Sequence, residues 1–269
     1  MSDRRPSYKG GFARHAGESM RPGRWKGLDN LWLPMLGPAG LTLHEWSGHR
    51  NHGTLTTMDP ATDYTVYPHG YGLDFDGVND HVLAGVRPAP GHLTIAAWIK
   101  MAGDYSNTQA IAGTYRHTNP YKFAQGTLEF GRTNNEFSWL QNGATIDSVS
   151  SVGLADDNWH QIAVVRAGGT GAWTISWYFD GVFDKTDATA VNPGNNPYNW
   201  TLGKAGNYAG QYFKGSMSMV GTWNRAFNAA EVTDLHADPF ALLRLRTKTY
   251  IYAPAAPTGN RRRRLLLAG

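Results

Sequence analysis

One stretch of this chain leaves its backbone little choice. Trp173-Thr-Ile-Ser-Trp-Tyr-Phe179 sets Trp173, Ile175, Trp177 and Phe179 on one side and Thr174, Ser176 and Tyr178 on the other, a period of two that suits a strand. Asp180-Gly181 follows at once, the residue pair of a two-residue hairpin turn, in which both central positions need positive φ. Val182-Phe183 then begins the return strand. The segment predicts strand, turn and strand.

The same alternation recurs elsewhere. Leu93-Thr-Ile-Ala-Ala-Trp-Ile-Lys100 gathers Leu93, Ile95, Ala97 and Ile99 on one face, and Trp159-His-Gln-Ile-Ala-Val-Val-Arg166 gathers Ile162 and Val164. Leu128-Glu-Phe-Gly-Arg132 and Glu136-Phe-Ser-Trp-Leu140 flank Asn134-Asn135, a second hairpin, because Asn tolerates positive φ. Ser216 and Ser218 alternate with Met217 and Met219, again as in a strand. One short helix is expected: Asn228 caps it, Glu231 completes a capping box, Val232 and Leu235 form its apolar face, and Pro239 ends it. With 32 Gly, 14 Pro, 10 Trp and 13 Tyr in 269 residues, the composition is that of a turn-rich all-β protein.

Charge divides the chain into three parts. Seven of its 25 Lys and Arg fall in residues 1–27 and seven in residues 241–269, against only Asp3 and Glu18, so the two ends carry +12. The remaining 11 basic and 19 acidic residues give residues 28–240 a formal charge of −8. The expected organisation is a basic N-terminal arm (1–27), one sandwich domain (28–240) and a basic C-terminal arm (241–269), since β-sandwiches commonly reach 200–250 residues as single units. Pro254-Ala-Ala-Pro-Thr-Gly-Asn260 reads as a linker ahead of Arg261 to Arg264 and Leu265 to Leu267.

The absence of cysteine removes disulfides, thiolate catalysis and Cys-ligated zinc. No apolar run approaches the roughly 20 residues of a membrane span. The twin arginine Arg4-Arg5 is followed by Gly10-Gly-Phe-Ala-Arg-His-Ala-Gly-Glu18 rather than an apolar segment, so the N-terminus is expected to be a polar arm without an export signal.

The order of motifs resembles the LamG-like jelly-roll domains of the concanavalin A-like lectin/glucanase superfamily. The residues that carry the resemblance are Trp46-Ser-Gly-His-Arg-Asn-His-Gly-Thr-Leu55, Leu73-Asp-Phe-Asp-Gly-Val-Asn-Asp-His-Val82, Thr94-Ile-Ala-Ala-Trp98 and Asp157-Asn-Trp-His-Gln-Ile-Ala163, then Tyr178-Phe-Asp-Gly181, Leu202-Gly203, and Gly215 through Trp223-Asn-Arg-Ala226 to Glu231. It implies two antiparallel sheets packed face to face with the chain ends close together. Two positions depart from the family pattern: Glu45 stands where Asp is usual before the Ser-Gly, and His81 where Tyr is usual.

Some relatives bind calcium at the sandwich rim, which makes Asp76 and Asp80, or Asp156 and Asp157, the candidates for a structural calcium. The ion takes about six to eight oxygens, and no run here forms the dense alternating acidic loop that supplies them. Asp76-Gly77 and Asp180-Gly181 read first as turns. His160 and His52 read as hydrogen-bonded structural residues rather than general bases. His44 and His49 are spaced i, i+5 across a Gly-containing turn, which a zinc helix with ligands at i and i+4 does not allow.

Catalysis is not expected. Glycoside hydrolysis needs two carboxylates about 5–5.5 Å or roughly 6.5–9.5 Å apart, and the sandwich holds only Glu45, Glu129, Glu136 and Glu231 as glutamates. Glu129 and Glu136 lie on opposite arms of a predicted hairpin, where acids are usually solvated. There is no Gly-x-Ser-x-Gly elbow and no phosphate-binding glycine loop.

Three readings of function follow. A carbohydrate-binding module at a cell surface would stack sugars on Trp139, Trp173 and Trp200 and on the loops from Tyr198 to Tyr212. Nucleic-acid binding through the arms is disfavoured by the acidic middle. The reading favoured by the charge pattern is a structural protein of a large assembly, because a signal-free jelly-roll with basic arms resembles accessory proteins of tailed-phage virions, made in the host cytoplasm for capsid decoration or fibres. There Arg4, Arg5, Lys9, Arg14, Arg21, Arg24, Arg261, Arg262, Arg263 and Arg264 would grip neighbouring subunits of a shell or homo-oligomer, and Leu265 to Leu267 would fill an apolar notch.

Overall fold

The structure is a computed structural model that describes residues 7–8, 11–12, 22–67, 70–86, 91–102, 109–114, 127–130, 137–141, 144–147, 154–194, 199–205 and 210–243. In chain order its strands are β1 (Ser7–Tyr8), β2 (Gly11–Phe12), β3 (Leu28–Trp32), β4 (Thr42–Leu43), β5 (Gly53–Thr56), β6 (Tyr64–Tyr67), β7 (Gly70–Asp76), β8 (His81–Val86) and β9 (Leu93–Ala102). They continue with β10 (Gln109–Gly113), β11 (Thr127–Phe130), β12 (Phe137–Gln141), β13 (Ala144–Asp147), β14 (Asp156–Gly169), β15 (Ala172–Phe179), β16 (Val182–Thr189), β17 (Asn199–Leu202) and β18 (Lys214–Trp223). Two α-helices, α1 (Pro22–Trp25) and α2 (Ala229–Ala237), and two 3₁₀ turns, Pro34–Leu36 and Pro239–Leu242, complete the described elements.

Two large antiparallel sheets face each other as a jelly-roll sandwich. One runs β13-β12-β11-β10-β17-β8-β5-β4 and the other β16-β15-β14-β9-β18-β7-β6, with β3 also paired to β18. Long-range strand pairing of this kind brings apolar faces together that neither sheet could cover alone. Between the sheets lie Leu55, Val82, Ile111, Phe137, Trp139 and Trp200 from the first and Leu73, Phe75, Ile95, Ala97, Ile99, Ile162, Val164, Ile175 and Trp177 from the second. The inward positions read from the alternation in β9, β14 and β15 are therefore the core.

The hairpin forms as its sequence requires. Phe179 pairs with Val182, and Asp180 and Gly181 both take positive φ, 49° and 77°, the primed turn that matches the right-handed twist of its strands. The predicted helix is present with its box: the Asn228 side chain accepts from Glu231 N at 2.9 Å and the Glu231 carboxylate accepts from Asn228 N at 3.0 Å. Val232 and Leu235 are buried.

The Asn134-Asn135 turn and Glu136 lie outside the described residues, and β11 and β12 pair so that Glu129 opposes Ser138. Two expectations need correction. In β18 a bulge between Met217 and Met219 shifts the phase of the alternation. Met217 is in the core between the sheets, whereas Met219 is in a second core on the opposite face. The boundaries drawn from charge also cut into this second core. Trp25 and Leu242, assigned to the arms, are buried in it beside Leu28, Leu31, Trp223, Val232 and Leu235.

That second core joins the beginning and end of the domain. The Trp25 indole donates to the Leu242 carbonyl at 3.0 Å. Arg225 donates to the carbonyls of Lys26 at 2.7 Å and Gly23 at 3.0 Å and pairs with Glu231 at 2.8 Å. The packed unit thus starts before residue 25 and runs past residue 242.

Candidate binding site

On the outer face of the second sheet, beyond the part covered by α2, strand register sets four side-chain types in a row. Trp159 on β14 opposes Lys100 on β9, Lys100 opposes Ser216 on β18, and Ser216 opposes Asp74 on β7. These positions face outward because their neighbours Ile99, Met217, Leu73 and Phe75 face the core. Above them is a cavity of about 230 Å³ lined by Asp74, Lys100, Asp157, Lys214, Gly215 and Ser216, with Phe75 behind.

The polar groups of the cleft are held in place by one another. Ser216 Oγ and Thr65 Oγ1 donate to the two oxygens of Asp74, the latter at 2.9 Å. Lys100 Nζ pairs with Asp157 Oδ1 at 3.1 Å. Lys214, whose backbone N–H donates to Gln109 Oε1 at 2.7 Å, adds a second ammonium. Next to Lys100 in the row, the Trp159 indole lies over Gly72, where a Cβ would come within 2.7 Å of its ring. A glycine is needed there for the ring to lie down. Carboxylate, hydroxyl and ammonium groups side by side next to an indole suit a ligand that has many hydroxyl groups and an apolar ring face.

At the end of this site β14 bulges against β9. Asp156 pairs with Ala102 and Trp159 with Lys100, leaving Asp157 at φ 66°. Asp156 Oδ1 accepts from Asn158 N at 2.9 Å and Oδ2 from Asn158 Nδ2 at 2.8 Å. His160 bonds Asp180 Oδ2 through Nδ1 at 2.7 Å and Asp156 Oδ1 through Nε2 at 2.9 Å. Burial disfavours the charged ring, but these two carboxylates outweigh it and the His160 pKa is raised. The Asp156 carboxyl is held well below the usual range by its bonds to Asn158 and His160.

The residues singled out from sequence are placed elsewhere. Trp139, Trp173 and Trp200 are 0%, 7% and 1% exposed, so they have no free face for a sugar. Trp139 and Trp173 do stack, on the Arg166 guanidinium at 5.9 and 5.8 Å. Arg166 donates to Gln141 Oε1 and the Gly91 carbonyl, and burial pushes its pKa down to about 9, still charged at neutral pH. Trp200 packs against Trp32 at 6.2 Å. Tyr212 has Lys204 over its ring at 5.4 Å, and Tyr198 lies outside the described residues.

Asp76 and Asp80 serve the turn. Asp76 Oδ1 accepts from the backbone N–H of Val78, Asn79 and Asp80, and Asp80 Oδ2 accepts from Asp76 N. Among the described residues no group of three or more acidic or histidine side chains is arranged to hold a metal ion. His52 is structural as expected, its Nδ1 accepting from Glu45 N at 2.9 Å, and Glu45 Oε1 accepts from the N–H groups of Leu31 and Ser47. Of the arm residues, Arg24 is in α1 with its side chain outside the description, and Arg4, Arg5, Lys9, Arg14, Arg21 and Arg261 to Arg264 lie outside the described residues. The cleft was missed, although the outward positions beside the core residues of β7, β9 and β18 carried the signal.

Comparison with known proteins agrees with the architecture. Residues 76–233 match the model of a laminin G-like family described as the concanavalin A-like lectin/glucanases superfamily. No curated protein matches the chain. Among solved structures, a sialidase of Trypanosoma rangeli in complex with sialic acid superposes with a TM-score of 0.58 at 14% identity over 80% of this chain and 33% of the sialidase. Domain 4 of an extracellular arabinanase from Geobacillus stearothermophilus, in complex with arabinotriose, gives 0.57 at 15% identity over 78% of this chain and 98% of that domain. The receptor-binding domain of botulinum neurotoxin D gives 0.59 at 9% identity over 81% and 54%. This chain therefore spans about a third of the sialidase and nearly all of the arabinanase domain, and at these identities the likeness is one of fold.

Proposed function

The chain belongs to the concanavalin A-like lectin/glucanases superfamily, and we propose that it is a non-enzymatic carbohydrate-binding module whose site is the cleft of Asp74, Lys100, Asp157 and Ser216. The observation that carries this reading is the row Trp159, Lys100, Ser216 and Asp74 across four strands, beside a cavity of about 230 Å³. Fixed carboxylate and ammonium groups bond sugar hydroxyls, and an indole edge packs against the C–H side of a pyranose or furanose ring. The arabinotriose complex of the arabinanase domain supports an oligosaccharide as ligand.

Calorimetric titration with arabinotriose and with sialic acid, alongside a glycan array, tests the proposal. Binding should be lost in Asp74→Ala and Lys100→Ala and retained when residues 244–269 are removed. Absence of binding to any glycan at about 1 mM ligand would exclude it.

A second reading, a displayed subunit of a large assembly such as a virion, draws support from the Trp25 to Leu242 bond. It sets Trp25 and Leu242, close in sequence to the basic stretches 1–21 and 244–269, side by side, and those stretches would act together on an acidic neighbour. Removing Arg261 to Gly269 should abolish incorporation while the domain stays folded; incorporation at wild-type occupancy would count against it.

A further inference from the structure

We propose that His160 is a proton-dependent pin of the cleft, holding in its charged form the bulge that presents Asp157 and Trp159 and releasing it when the ring becomes neutral. The bulge needs a pin. Asp157 at φ 66° occupies a backbone region that costs a non-glycine residue free energy unless its surroundings impose it. What imposes it is Asp156, which captures Asn158 through backbone and side chain and is itself held by His160 Nε2.

The other side of the imidazole is anchored to the hairpin. His160 Nδ1 meets Asp180 Oδ2, while Asp180 Oδ1 accepts from Gln161 N at 2.8 Å and Asp180 N donates to Gln161 O at 2.8 Å. The next residue, Gly181, accepts from Thr233 Oγ1 of α2 at 2.8 Å. The ring thus ties a strained bulge to a turn fastened to both its strand and the helix.

An imidazolium has two N–H groups, one for each carboxylate. A neutral ring has one, so Asp156 or Asp180 would face a lone pair at under 3 Å. The His160 side chain is 15% exposed; its contact with Asp156 is open to solvent, whereas that with Asp180 is partly buried, so the Nδ1 side is where water least readily replaces a lost donor. Among the described residues the charged groups bonded to this ring are Asp156 and Asp180. On the adjoining elements Lys100 of β9 is paired with Asp157 and His236 of α2 is stacked on Trp98. Burial opposes the charge, yet the bonds to Asp180 and Asp156 raise the pKa, which moves the change above the ordinary histidine value.

Since Asp157 pairs with Lys100 and Trp159 covers Gly72, loosening the bulge removes one ion pair from the cleft and shifts the indole beside it. The consequence for a ligand rests on the function proposed above; the consequence for the bulge does not. The experiment follows the indole N–H resonance of Trp159, assigned by its loss in Trp159→Phe, and the ring resonances of His160 in the full chain from about pH 5.5 to 9. The two should move together with a midpoint above the ordinary histidine value, and Asp180→Asn should lower that midpoint. In His160→Gln the Trp159 signal should stay at its high-pH position throughout.

Arabinotriose affinity should fall about fivefold across the same transition, a modest linkage coupling. A Trp159 signal indifferent to the His160 titration, or one in His160→Gln that keeps the acidic wild-type position, overturns the pin. If the two signals move together and arabinotriose does not bind, the pin stands and the carbohydrate reading is what fails.

Discussion

Trp25 decides whether the N-terminal segment is part of the folded unit. Charge counting puts it in an arm, whereas the structure buries it to 6% exposure and gives its indole N–H to the Leu242 carbonyl, 217 residues away. Replacing it with alanine removes a large side chain from the second core, which also holds Leu28, Trp223, Leu235 and Leu242, and leaves a cavity there. Truncations of this kind cost about 3–5 kcal/mol. The lost hydrogen bond is worth about 1 kcal/mol and lies within that range. For a domain this large each kcal/mol lowers Tm by about 2–4 °C, so Trp25→Ala should melt about 10 °C below wild type. Trp25→Phe keeps most of the buried surface but has no N–H for Leu242, and should cost about 1–2 kcal/mol. Urea unfolding followed by far-UV circular dichroism measures both. A loss below about 1 kcal/mol for Trp25→Ala would refute the reasoning and return residues 22–27 to the arm.

Four further outcomes are expected. Arg225→Ala, which loses the carbonyls of Lys26 and Gly23, the Glu231 pair and a cation–π contact with Phe227 at 4.2 Å, should destabilise by about 2 kcal/mol, measured by the same unfolding assay. Because the His160 pKa is raised on folding, its contribution is fully present below the unfolded value near 6.5 and is lost as pH rises through the folded value; melting from about pH 6 to 9 should show this slope in wild type and lose it in His160→Gln. Asp156 is shifted the other way, so its contribution holds above the unfolded carboxylate value and disappears on acidification below about pH 4, which Asp156→Asn should show by a flatter acid limb. Gly72→Ala should displace the Trp159 ring, seen as changed indole fluorescence and weaker arabinotriose binding, with secondary structure unchanged by circular dichroism.

Local features were legible because they are written in neighbouring residues. The Asp180-Gly181 turn and the Asn228 to Glu231 box depend on contacts within four positions, and the inward faces of β9 and β15 follow from a period of two. The strand reading failed where that period breaks. A bulge at Met217/Met219 sends Met219 to the outer core, and no residue type in Ser216-Met-Ser-Met219 announces the extra position. The sequence shows Trp139, Trp173 and Trp200 as aromatic rings, but whether an aromatic face is free depends on what packs against it, here Arg166 and Trp32.

The candidate site was decided by tertiary structure. Asp74 and Ser216 are 142 residues apart and meet only through the register of β7 on β18, and Lys100 and Asp157 meet through the register of β9 on β14. By itself the sequence determined an all-β chain, its tight turn, its one capped helix and a superfamily resemblance, all of which rest on short-range stereochemistry and motif order. Only the folded sheets decided which outward side chains share a cleft and which tryptophans are core. Strand pairing joins residues that are remote in the chain, and burial belongs to the opposing layer rather than to the residue.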